Sequence, residues 1–78
     1  TIPNEIVMMK ELTRLNLSDN QLSGQIPKNI GLLEKLNYIN LSNNKLSGNI
    51  PVALYQMKNL KGLILFNNQL IFNSSEPK

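Results

Sequence analysis

The chain has 78 residues, 41% of them hydrophobic and 17% charged, with no Cys and no His. That composition excludes disorder, leaves neither a disulfide nor a zinc centre to staple so small a core, and removes thiol and imidazole catalysis. The net charge of +3 comes from eight Lys/Arg and five Asp/Glu. The cations are scattered, without the clustered basic stripe and neighbouring aromatics of a nucleic-acid binder.

Residues 1–11 carry apolar side chains at Ile2, Ile6 and Met9. Alone, residues 4–11 pass for an amphipathic helix. Their register with Ile26, Ile30 and Leu33, 24 residues on, makes 1–11 the tail of a preceding repeat. A chain opening on Thr1 in mid-pattern is expected to be a piece of something longer. Residues 12–35 and 36–59 are the complete repeats. Offset by 24, they share ten identical positions: Leu12/Leu36, Asn16/Asn40, Leu17/Leu41, Ser18/Ser42, Asn20/Asn44, Leu22/Leu46, Ser23/Ser47, Gly24/Gly48, Ile26/Ile50 and Pro27/Pro51. In each, L-x-L alternation turns Leu15 and Leu17, or Ile39 and Leu41, to one face and their neighbours to the other. The spacing predicts one short strand per repeat, stacked in parallel, because a single repeat cannot bury its own leucines. Each buried Leu or Ile contributes about 1.5–3 kcal/mol.

Asn20, Asn44 and Asn68 follow each strand at a fixed offset. An amide both donates and accepts, so these three predict a structural ladder that satisfies turn N–H and C=O groups. Gly24 and Gly48 suit positive φ or a close approach between coils. Pro27 and Pro51 end the extended segment. Beyond them, Ile30/Leu33 and Leu54/Met57, three apart, predict a short 3₁₀ or single helical turn with one face inward. Residues 60–78 begin in register through Leu60, Leu63, Leu65, Asn68 and Leu70. They then diverge: Ile71-Phe72 stand where Ser-Gly stood, and Ser74-Ser75 where Ile-Pro stood. They read as a divergent final repeat with a polar tail, all within one solenoid domain.

The pattern L-x-x-L-x-L-x-x-N-x-L is the leucine-rich-repeat signature. With its added L-S-G-x-I-P element (residues 22–27 and 46–51), the chain resembles the plant-type, extracellular subfamily over nearly its whole length to about Leu70. The resemblance implies an α/β repeat: a leucine-rich-repeat solenoid with a short parallel β-sheet on the concave face and 3₁₀ or irregular segments on the convex face. It also implies a protein- or peptide-recognition scaffold within a receptor-like kinase or receptor-like protein ectodomain, on the extracellular side of the plasma membrane. The partners so implied are a peptide or protein ligand and a co-receptor, with no nucleic acid and no direct membrane contact from this segment. Two alternatives stand beside it: a secreted inhibitor of a microbial wall-degrading enzyme, as in polygalacturonase-inhibiting proteins, and a purely structural spacer.

No catalytic constellation is visible. Glu5, Glu11, Asp19, Glu34 and Glu76 make no spaced pair, and Lys10-Glu11 and Glu34-Lys35 read as solvated faces. The glycines form no phosphate-binding loop. The expectation is no enzyme, no metal and no cofactor.

Contact is expected on the concave sheet, whose outward positions form columns. The columns are Arg14, Tyr38, Gly62; Asn16, Asn40, Ile64; Ser18, Ser42, Phe66; and Asp19, Asn43, Asn67, with Gln21, Lys45 and Gln69 beyond. Arg14 with Tyr38 is the leading contact pair, since both residue types are enriched in binding hot spots. Ile64 and Phe66 are apolar where earlier repeats are polar, so they form either a ligand patch or a seat for the divergent tail. Asn16, Asn40 and Asn73 begin N-x-S sequons, compatible with an extracellular glycoprotein. Three strands of five residues offer only about 240 Å², against about 800 Å² per partner in a standard interface. Lacking the Cys-containing caps of the resembled family, the isolated segment is expected to have low stability or to self-associate.

Overall fold

The computed structural model describes residues 1–71. Along the chain run a 3₁₀ turn at Asn4–Met8, β1 (Arg14–Asn16), β2 (Ser23–Gly24), a second 3₁₀ turn at Lys28–Leu32, β3 (Tyr38–Asn40), β4 (Lys45–Asn49), helix α1 (Ala53–Gln56), β5 (Gly62–Ile64) and β6 (Gln69–Ile71). Each coil returns to its start after 24 residues, so Arg14 pairs with Tyr38 and Tyr38 with Gly62 in a parallel sheet ordered β1-β3-β5. Pairing runs beyond the strands themselves, through Leu17 N–H to Asn40 C=O (2.9 Å), Asp19 N–H to Ser42 C=O (3.0 Å) and Asn43 N–H to Phe66 C=O (3.1 Å).

A second parallel sheet, ordered β2-β4-β6, lies beside the first and was not anticipated from sequence. Its register is 22 rather than 24: Ser23 pairs with Lys45 and Ser47 with Gln69. The ladder asparagines set that slip. Asn44 Oδ1 accepts from Leu22 N–H at 3.0 Å, and Lys45 N–H then donates to Leu22 C=O at 2.7 Å. Asn68 Oδ1 takes Leu46 N–H at 3.0 Å in the same way. A slip of two residues leaves the inward face unchanged, because strand side chains alternate with period two.

The prolines begin the returning segments. Pro3, Pro27 and Pro51 C=O each accept from the residue three later, at 3.2, 3.2 and 3.1 Å. Pro3 and Pro27 hold φ −64° and −60°, the value the ring imposes. The third turn is a single α-helical turn with Leu54 buried. Gly31 lets the second and third turns touch, since a Cβ there would lie 2.8 Å from Ala53 Cβ.

Between sheets and turns sits one apolar core: Ile2, Ile26 and Ile50 in one row, Leu15 and Ile39 in another, with Ile30, Leu33, Leu36, Leu41, Leu46, Leu54 and Leu65. Leu36, Ile39, Leu41 and Leu46 of the inner repeat are fully buried, whereas Leu12, Leu17, Leu22, Leu60, Leu63 and Leu70 are half-buried. A coil with neighbours on both sides loses more surface to them. No helix among the described residues is long and apolar enough to cross a membrane.

Candidate recognition surface

The concave sheet presents its outward side chains in the register set by its strands. Arg14 Cζ stands 4.4 Å from the centroid of the Tyr38 ring. Across the ring is Gly62, where a Cβ would approach Tyr38 Cδ1 to 2.9 Å. The ring can lean over β5 only because that position has no side chain. Asn40 Nδ2 donates to Tyr38 Oη at 3.2 Å, so the ring is held from three directions. A cation stacked on an aromatic contributes about 0.5–1 kcal/mol where exposed. Arg14 is exposed and Tyr38 half-buried. The guanidinium is therefore the reachable part of this pair, and its N–H groups stay available to an acceptor.

The other candidate pair lies toward the exit of β5. Ile64 is half-buried, and Phe66 is 60% exposed. The tail beyond residue 71, expected from sequence as one possible cover for Phe66, lies outside the described residues. From Arg14 to Phe66 the path crosses two strand spacings and four residues, about 16 Å on standard sheet dimensions. That is the reach of an extended segment of about five residues.

Polar side chains between these pairs are largely paired with their own coil. Ser18 N–H and Oγ donate to Asn16 Oδ1 at 3.0 and 2.6 Å. Ser42 repeats this on Asn40 Oδ1 at 3.1 and 2.7 Å, and is itself buried. At the strand exit, Asp19, Asn43 and Asn67 all adopt φ near +58°, a left-handed conformation that Asn and Asp tolerate best among residues with a Cβ. Asn43 Nδ2 donates to Asp19 Oδ1, and Asn67 Nδ2 to Asn43 Oδ1, each at 2.7 Å. Behind this row, Asn44 Nδ2 reaches Leu17 C=O (2.9 Å) and Leu41 C=O (3.1 Å). Asn68 reaches Leu41 C=O (2.8 Å) and Leu65 C=O (3.1 Å). Among the described residues, Asn20 bonds within its own coil, to Leu17 C=O and Ser18 C=O.

The leucine-rich-repeat family model matches residues 10–70. The chain belongs to the leucine-rich-repeat family. Among solved structures, 88% of this leucine-rich-repeat chain superposes on the plant peptide hormone receptor RGFR1 in complex with RGF2, with TM-score 0.84 and 42% identity, over 11% of that chain. It superposes equally on the Arabidopsis receptor kinase HAESA in complex with the peptide hormone IDA and the co-receptor SERK1 (TM-score 0.85, 42% identity, 12% of that chain). A chain of the BIR3–SERK2 complex from Arabidopsis thaliana matches with TM-score 0.83 and 43% identity over 37% of its length. The leucine-rich-repeat chain thus spans between about a tenth and two fifths of these structures. A search of curated proteins finds no match.

Two features of this leucine-rich-repeat surface escaped sequence reading. One is the left-handed row Asp19, Asn43, Asn67, whose available signal was an Asx residue recurring at one offset. The other is Gly62, whose significance depends on where the Tyr38 ring leans. The convex side also carries a half-open groove of about 560 Å³ lined by Lys28, Gly31, Leu32, Ala53 and Met57 among others. No residue of the concave columns lines it. Asn73 lies outside the described residues.

Proposed function

We propose that this segment forms part of the ligand-recognition surface of a plant-type leucine-rich-repeat receptor ectodomain, facing the extracellular side of the plasma membrane. It has no catalytic role, and it takes a peptide or protein ligand, a co-receptor among the proteins it can meet. The observation that carries the reading is likeness in sequence and backbone, at 42–43% identity over 88% of the chain, to solved plant structures of receptor complexes with peptide hormones and co-receptors. Arg14 and Tyr38 supply the polar end of the contact strip, and Ile64 and Phe66 the apolar end. A strip of this size contributes part of an interface rather than the whole.

The test uses the full-length protein on the cell surface. Paired variants R14A/Y38A and I64A/F66A are expected to weaken ligand binding by about tenfold or more each, the scale of a hot-spot truncation. Unchanged affinity for both pairs, with normal surface abundance, would assign the segment to spacing rather than contact.

A further inference from the structure

Resting on the recognition reading above, we propose that Asn40 and Tyr38 make the centre of the concave strip a surface of hydrogen-bond donors. It selects an extended peptide segment that sets a carboxylate side chain against them. Both residues lie on β3, the central strand, which has β1 on one side and β5 on the other. Their surroundings are therefore complete within the sheet.

An asparagine carries one amide oxygen and two amide hydrogens. Asn40 Oδ1 accepts Ser42 N–H at 3.1 Å and Ser42 Oγ at 2.7 Å. A backbone N–H can only donate, so the atom facing it is the oxygen, and the amide cannot be turned over. Ser42 is buried, which keeps that oxygen inside the turn. One Nδ2 hydrogen goes to Tyr38 Oη at 3.2 Å. Among the described residues, the other meets no acceptor. Tyr38 Oη takes the Asn40 hydrogen and keeps its own O–H to give. The ring lies between the Arg14 guanidinium and the backbone of Gly62, so the hydroxyl is held in place. From Ser42 to Asn40 to Tyr38 each group donates to the next, and such a chain polarises its last O–H. Arg14 beside it brings five further donors and no acceptor.

A group docked against Asn40 Nδ2 and Tyr38 Oη must therefore accept. A carboxylate does so with charge-assisted bonds. A Lys or Arg side chain would set donors against donors and leave both sets unpaired, which penalises the wrong ligand as well as favouring the right one. Ile64 stands opposite Asn40 in the register, so the donor row gives way to apolar surface on β5. Tyr38 to Phe66 spans one strand spacing and four residues, about 14 Å, or about four residues of extended chain. The ligand so selected carries its carboxylate four positions from a large apolar residue.

The experiment screens the full-length protein against an array of random pentapeptides. Each is acetylated at its N-terminus and joined to the support through a C-terminal amide, so that no free terminus supplies charge. The signals counted are those lost in I64A/F66A. Among them, Asp and Glu should be enriched, and Lys and Arg depleted, four positions from a large apolar residue. Y38F keeps the ring and the charge but removes one donor, and should weaken the selected peptides about three- to tenfold. N40D still accepts both Ser42 bonds but puts an oxygen where Nδ2 stood. It should weaken them about tenfold or more and shift the preference toward Lys and Arg. Loss of a sugar from the Asn40 sequon would uncover the strip and act in the opposite direction. Lys or Arg enriched on the wild type, or Y38F without effect, or an unchanged preference in N40D, overturns the proposal and leaves recognition by the strip standing. An array without any signal that depends on Ile64 and Phe66 overturns the recognition reading itself, and the proposal with it.

Discussion

The Asn44 side chain closes backbone groups on two coils at once: it accepts from Leu22 N–H and donates toward Leu17, Leu41 and Ser42 C=O. Asn44 is only 8% exposed, so removing the amide strands groups that water cannot reach. N44A is expected to lower stability by about 3 kcal/mol, as two or more unsatisfied groups would. N20A, whose amide bonds within its own coil at an exposed position, should cost at most about 1 kcal/mol. Urea unfolding of the two variants makes the comparison. The Lys35–Glu11 pair, 2.6 Å apart with both side chains more than half exposed, belongs at the other extreme: E11Q should change stability by less than about 0.5 kcal/mol. The columns were legible because residues 24 apart declare a shared face. The stack of Arg14 on Tyr38 was legible only as a juxtaposition, since the lean of the ring depends on the missing side chain at Gly62. Left-handed φ at Asp19, Asn43 and Asn67 leaves no periodic hydrophobic trace, and so went unread.

At the scale of elements, glycine and amide side chains decide how one coil meets the next. Gly48 has φ +81°, and a Cβ there would lie 3.0 Å from Gln25 Cγ. G48A should therefore cost about 1–2 kcal/mol, chiefly from the left-handed backbone, and a thermal melt will show it. The row Asp19–Asn43–Asn67 sets a second test. N43D removes the donor to Asp19 and brings two carboxylates together, whereas D19N leaves a suitable acceptor in place. N43D should destabilise the chain clearly more than D19N, with the gap narrowing as salt screens the repulsion. Strands of the concave sheet were legible in the L-x-L alternation. The second sheet was not: L-S-G has no alternation of its own, and its register follows from side-chain bonds of Asn44 and Asn68 rather than from hydrophobic pattern.

For the molecule as a whole, burial grades along the solenoid axis. Leu36, Leu41 and Leu46 of the inner repeat are fully covered, while Leu12, Leu17 and Leu22 on one side and Leu60 and Leu70 on the other are half covered. Each end of the sheet presents a strand edge and a partly exposed apolar row, which is a template for another copy. Expressed by itself, the 78-residue segment is expected to melt at low temperature or to gain mass with concentration in sedimentation experiments. A sharp, concentration-independent transition of the monomer at high temperature would contradict this. The repeat also bounds what the surface can do: its strip fits a short extended segment, and larger partners must draw on further coils.

The amide row has one more consequence. Asn67 donates to Asn43, which donates to Asp19, always in one direction. A carboxylate can receive such a bond but never pass one on, so among the described residues the row of donors runs from Asn67 to Asp19 and stops there. The repeats are alike in outline yet not interchangeable. Recombination that copies an Asn-bearing repeat extends the row without interruption, while copying the Asp-bearing one into an inner place breaks it.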